Sequence, residues 1–228
     1  MAEQRTLLQT ILDSFTPAKS PGPALDLGSG PGYQAMALAE LGFSPVIAVD
    51  TSAELLDELK LHRGLHPIEI ARADLACLDQ LDSGSSASFA ACMGDTLTHL
   101  VSRESVKQLF AAVFCKLAWG GSFAITYRDL SVPLTGLDRF IPVRSDHQKI
   151  MTCFLEYESD DFVVVHDLVY LRDTEGWRME KSAYRKLRLS RAWVAAALVE
   201  SGFTLCTQSN AGRLVLVVAE KRRPVRCG

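Results

Sequence analysis

Four acids and one loop hold the chemistry visible in this chain. Asp26, Asp50, Asp74 and Asp95 each sit at or just past the end of a short apolar run, at intervals of 24, 24 and 21 residues. A lone aspartate in such a place is commonly a helix cap or a turn residue. Four at this interval, each about one strand and one helix apart, fall on one edge of a parallel sheet, where ligands bind outside the carboxyl ends of the strands. The first opens "DLGSGPG", in which Gly28, Gly30 and Gly32 alternate. That spacing departs from the G-x-G-x-x-G of dinucleotide folds, and no Lys-Ser/Thr follows to complete a phosphate loop. Bare backbone beside a carboxylate suits a ligand that lacks phosphates and carries an ammonium. Asp50, 20 residues beyond Gly30, is placed to accept from a ribose diol.

The elements that must position these groups alternate between strand and helix. Strands are expected at Ala24–Leu27, Val46–Val49, Ile68–Arg72, Phe89–Met93 and Ser122–Tyr127. Ser52 is placed to cap the helix "AELLDELK", and Ser102 to cap "RESVKQLFAAVFCKLAW", whose apolar residues recur at helical spacing until Gly120–Gly121 ends it. Between 130 and 189 the pattern changes to consecutive strands with turn residues at Asp160–Asp161 and Thr174–Glu175–Gly176, an antiparallel meander. A helix from Ser190 to Gly202 and the strands "FTLCTQ" and "RLVLVVAE" complete the chain, the second forming a final hairpin.

The expected fold class is therefore α/β, repeated strand-helix units around an open parallel sheet. Residues 130–189 form an antiparallel β lid inserted after the fifth strand of a single 1–228 domain. In that lid Tyr157, His166, Tyr170 and Tyr184 either face substrate or pack on the sheet.

At 228 residues, 48% apolar and 22% charged, the chain can bury one sizeable core. Its apolar runs are short of a membrane span, and its start has no basic leader or small-residue cleavage site, so a cytoplasmic protein is expected. The six cysteines lack paired or CxxC spacing, which argues for reduced thiols rather than disulfides or a metal site. A net charge of −3 gives no footprint for nucleic acid, and the basic "EKRRPVRCG" tail reads as solvated. "DSGSSAS", Asp82 to Ser88, reads as a surface loop.

S-adenosylmethionine has both the ammonium and the diol that the loop and Asp50 call for. "LDLGSGPG", "VIAVDTS", "ARADL" and "MGDTLTHL", in this order and spacing, resemble the class I S-adenosylmethionine-dependent methyltransferases. The resemblance implies a Rossmann-like seven-stranded, mostly parallel sheet with helices on both faces, and cofactor contacts from Asp26, Gly28, Gly30, Gly32, Asp50, Thr51, Asp74, Leu75, Gly94 and Asp95. Asp50 would take the ribose, Asp74 and Leu75 the adenine, and Asp95 the sulfonium side. "GDTLTHL" lacks the prolines of enzymes that methylate DNA-base amines. It is similar to the "GNS-x-x-HL" of glycine N-methyltransferase and related small-molecule enzymes, with Asp95 and Thr96 in place of Asn and Ser. "TYRDLS" resembles the stretch whose arginine grips a substrate carboxylate there, so Arg128 is a candidate acceptor anchor; a salt bridge or surface pair is the other reading.

The implied activity is in-line methyl transfer to a small molecule, an amine nitrogen first, with neither nucleic acid nor membrane as partner. The alternatives are a small-molecule O-methyltransferase and a non-catalytic S-adenosylmethionine-binding protein. His99, Tyr127 and Asp129 are the candidate proton-handling groups, and Arg128, Tyr157 and Tyr184 the candidate substrate contacts.

Overall fold

The computed structural model describes residues 2–15, 21–81 and 86–223. The expected loop at 82–88 therefore falls mostly, and the basic tail partly, outside the described residues. The chain divides into two compact units. One takes the described residues up to Arg128 together with those from Arg191, and the other takes Asp129–Ser190.

The first unit begins with helix α1 (Ala2–Phe15) and strand β1 (Ala24–Leu27). Helix α2 (Tyr33–Glu40), strand β2 (Val46–Asp50), helix α3 (Ala53–His62) and strand β3 (Ile68–Arg72) follow. Next come strand β4 (Ala87–Cys92), helix α4 (Arg103–Lys116) and strand β5 (Leu117–Tyr127). The inserted unit contributes β6 (Phe140–Ser145), β7 (Lys149–Tyr157), β8 (Phe162–Asp173) and β9 (Gly176–Leu187), after which α5 (Arg191–Glu200), β10 (Thr204–Ala211) and β11 (Leu214–Glu220) return to the first.

The large sheet has the order β10-β11-β5-β4-β1-β2-β3, with β11 antiparallel to both neighbours and the other pairings parallel. Chain order reverses on either side of β1, which puts a ligand crevice at the carboxyl ends of β1 and β4. Strand residues alternate between faces. Ala24, Val46, Ala48, Phe89, Ala91 and Val218 pack with Leu8 and Ile11 of α1 and with Ala35–Leu38 of α2. The opposite face carries Phe123, whose ring meets Phe110 of α4 edge-on at 5.9 Å. Helices thus cover both faces, and the strands read as continuous apolar runs because both sides are buried.

Ser52 and Ser102 cap α3 and α4 as expected, accepting from the backbone N–H of Leu55 at 3.2 Å and Ser105 at 3.0 Å. Gly202, at φ 98°, ends α5. One expectation is corrected: Gly120–Gly121 does not stop α4. The helix ends at Lys116 and the chain passes directly into β5. Both glycines lie in that strand, where the Gly120 N–H donates to the Lys221 carbonyl and the Lys221 N–H to the Gly121 carbonyl. The five described cysteines form no disulfide with one another.

The second unit is the expected meander, β6-β7-β8-β9, antiparallel throughout. Its first strand, "FIPVRS", is additional to the segments between the expected turns, and its proline is tolerated because β6 is an edge strand. Leu130, Leu155, Val163 and Val165 form its small core, with Cys153, Tyr157 and Tyr184 against it. Arg188 is buried beside them. It donates to the carbonyls of Leu130 (3.1 Å), Ser131 (2.7 Å) and Ser159, and its guanidinium lies 5.1 Å from the Tyr157 ring centre. Those carbonyls come from the entering segment and the β7–β8 turn, so one side chain ties both ends of the unit together. Sequence patterning does not reveal it, because an arginine among "RKLRL" looks like surface charge.

Candidate functional site

A cavity of about 580 Å³ opens where the strand order reverses. Of the residues named from sequence, Gly28, Gly30, Asp50, Thr51, Asp74, Leu75 and His99 line it, and Leu55, Thr96, Leu100 and Val101 join them. Its volume is within the usual 300–1,000 Å³ or so of small-molecule and cofactor sites.

Asp50 organises this wall. One carboxylate oxygen accepts the Gly30 N–H at 2.8 Å and the other the Ser52 N–H at 2.9 Å, so the glycine loop and the start of α3 hang on one side chain. A carboxylate has about four acceptor positions, which leaves lone pairs for a diol. Asp74 caps the short 3₁₀ turn Leu75–Gln80, accepting from the Ala76 N–H at 2.9 Å.

The three alternating glycines answer to three different constraints. All have positive φ, 72°, 52° and 87°. A Cβ on Gly28 would stand 2.2 Å from Thr96 Cγ2, and one on Gly32 2.1 Å from Leu59 Cδ1, whereas one on Gly30 would meet nothing within 4 Å. Gly28 and Gly32 are therefore demanded by protein neighbours, and Gly30 is the glycine whose bare side faces open space.

Asp26 lies beneath the loop rather than on the cavity wall. It is 1% exposed, and its Oδ2 finds no hydrogen-bond partner among the described residues. Burial, only partly offset by the Ala35 backbone N–H and reinforced by the charge of Asp50, raises its pKa to about 7.

Asp95 joins the ends of β4 and β5. Its Oδ1 accepts the Arg128 backbone N–H at 2.9 Å and the Thr98 hydroxyl at 3.0 Å. The Gly94 N–H donates to the Thr126 hydroxyl at 2.8 Å, a second clamp that motif reading passes over because a strand-end threonine has no distinctive signature. Gly94, Asp95 and Arg128 are thereby held together, apart from the cavity lining. Tyr127 is fully buried. Asp129 accepts from both the N–H and the hydroxyl of Ser131, at 2.9 and 2.5 Å. In the other unit Tyr157 has a buried hydroxyl, and Tyr184 packs on the core with the Lys186 ammonium 5.6 Å from its ring centre. Among the described residues no three His, Cys, Asp or Glu side chains gather as metal ligands, and no helix is long and apolar enough to cross a membrane.

Residues 24–121 match a family profile described as a methyltransferase domain. No curated protein matches the chain in sequence. Solved structures share its fold. An S-adenosylmethionine-dependent methyltransferase from Clostridium acetobutylicum is 17% identical with a TM-score of 0.77, over 97% of this chain and 91% of its own. The CcbJ methyltransferase from Streptomyces caelestis is 19% identical at 0.80, covering 97% and 90%. A sugar N-methyltransferase from Streptoalloteichus is 17% identical at 0.76, covering 97% and 88%. Residues 24–121 thus match a methyltransferase-domain profile, and the chain as a whole has the fold of these solved methyltransferases.

Proposed function

We propose that this protein transfers the methyl group of S-adenosylmethionine to an amine nitrogen of a small molecule. The observation that carries this reading is Asp50, a carboxylate on the wall of a cofactor-sized cavity that also holds the glycine loop in place. The residues present suit the cofactor: lone pairs of Asp50 for the ribose hydroxyls, Asp74 with Leu75 for the adenine, open space at Gly30 for close approach. Nitrogen as the acceptor atom is supported by the likeness of "GDTLTHL" to small-molecule N-methyltransferases and by a sugar N-methyltransferase among the structural neighbours.

When bound, S-adenosylmethionine supplies a sulfonium methyl open to in-line displacement. A nitrogen that carries a hydrogen would be left with a proton to lose after accepting the methyl, and that proton is what the chain's own residues would have to take. The protein's task is to hold that nitrogen about 3–3.5 Å from the carbon, in line and dry. His99 lines the cavity and is the first choice to take the proton, ahead of the buried Tyr127 and of Asp129, whose carboxylate holds Ser131. A substrate-cap role for residues 130–189 belongs to the same proposal; it rests on the insertion's place in the chain, leaving after Arg128 and rejoining at Arg191.

Two variants test it. Asp50→Asn places an amide N–H₂ against one of two backbone N–H donors and removes the charge, so S-adenosylhomocysteine should bind about ten- to a hundredfold more weakly by calorimetry, roughly 1.5–3 kcal/mol. Unchanged affinity in a folded variant removes Asp50 from the site. Arg128→Met leaves the clamp to Asp95 intact, since that bond uses the backbone N–H. If the guanidinium anchors an anionic part of the acceptor, cofactor affinity should hold while transfer to a carboxylate-bearing acceptor falls about tenfold or more. Mass spectrometry of the product, locating the methyl on nitrogen or oxygen, decides the acceptor atom.

A further inference from the structure

A second cavity, of about 190 Å³, lies along the same carboxyl edge of the large sheet. Its walls include Gln4 and Leu8 of α1, Gln34 of α2, Met93 and Gly94 after β4, and Thr126 of β5. Two chain segments contribute to both cavities: Gly94 lines this one and Thr96 the cofactor cavity, and the glycine turn has Gly30 on the cofactor cavity with Gln34 just beyond it on this one. For in-line displacement, an acceptor seated here brings its nitrogen past these segments to within about 3–3.5 Å of the methyl carbon.

Three features describe its occupant. An apolar cavity of about 150 Å³ takes one benzene ring, so this one takes a single six-membered ring. No charged side chain lines it, so an ionised group entering it would lose its water without a counter-charge. The Thr126 hydroxyl is engaged by the Gly94 N–H, but Gln4 Oε1 is buried and has no hydrogen-bond partner among the described residues. Native proteins seldom leave such an acceptor without a donor.

We propose that the acceptor enters this cavity as an uncharged, ring-sized group carrying an N–H or O–H donor, seated under α1 with that donor on Gln4 Oε1. Any carboxylate on the same molecule stays outside the cavity, whose walls do not include Arg128. The inference rests on the methyl-transfer reading, and the test separates the two.

Phenol, aniline, benzene and benzoate would be titrated into protein saturated with S-adenosylhomocysteine, observed through the methyl resonances of Leu8 and Met93. Phenol and aniline should shift both signals with affinities at least tenfold above benzoate. In Gln4→Leu, which keeps the cofactor loops untouched, their advantage over benzene should fall at least fivefold. Leu7→Phe, which narrows the cavity from α1, should weaken all three neutral rings. Shifts absent in protein that binds S-adenosylhomocysteine normally, or a phenol preference that survives Gln4→Leu, overturns the acceptor assignment alone. Failure to bind S-adenosylhomocysteine overturns the methyl-transfer reading beneath it.

Discussion

Gly32→Ala is expected to lower the melting temperature substantially, and Gly30→Ala to lower it less while costing more in cofactor affinity. A left-handed backbone costs a residue with a Cβ about 1–2 kcal/mol, and both positions incur that. Only Gly32 adds a collision, with three atoms of Leu59 at 2.1, 2.9 and 3.0 Å. Leu59 is fully buried in the close-packed core, so overpacking adds about 1–3 kcal/mol. The sum, about 2–5 kcal/mol, amounts to roughly 5–15 °C for a chain of this size. At Gly30 the new methyl projects into open space beside the cavity, and the N–H that donates to Asp50 is kept. Thermal melts read beside S-adenosylhomocysteine titrations separate the two. Equal destabilisation with equal affinity would mean that the alternating glycines share one structural role and that Gly30 does not border the cofactor.

That contrast marks how far residue pattern alone reaches. The glycine run was legible as a place where backbone is approached closely, but its spacing cannot say what approaches. Leu59 lies 27 residues from Gly32 and Thr96 lies 68 from Gly28, so the demand arises from tertiary packing. The strands that carry the acids were legible because both their faces are buried and their runs are uniformly apolar. The start of β5 was not, since Gly120–Gly121 imitates a helix stop and the pairing that makes it a strand comes from Lys221, a hundred residues on. Helix α1 has Leu7, Leu8, Ile11 and Leu12 at helical spacing, yet nothing in that spacing connects Gln4 to the carboxyl ends of β4 and β5. Arg188 was hidden for a related reason, because its value lies in carbonyls from two distant turns.

Asp26 is where sequence and structure divide most usefully, and it yields a pH signature. Its neighbours in the motif suggested an ionised carboxylate beside an ammonium. In the fold it is buried, with burial raising its pKa from 3.8 to about 7. Between those values the folded chain keeps a proton that the unfolded chain releases, so stability falls as pH rises through the window, and the full penalty is present above it. The slope is about 1.4 kcal/mol per pH unit and the total about 4 kcal/mol. Asp26→Asn cannot ionise and retains an oxygen to accept from the Ala35 N–H, so parent stability minus variant stability, from urea melts at pH 4 to 8, should decline by that amount and then level off. Parallel profiles would mean that Asp26 is already ionised in the folded protein. Cofactor binding adds a second readout. If the ammonium end comes near Asp26 it will draw the proton off, and titrations near pH 7 in buffers of different ionisation heat should show net proton release in the parent and none in Asp26→Asn. A pH-dependent stability without that release would leave Asp26 as a buried support of the loop, with the ammonium held elsewhere.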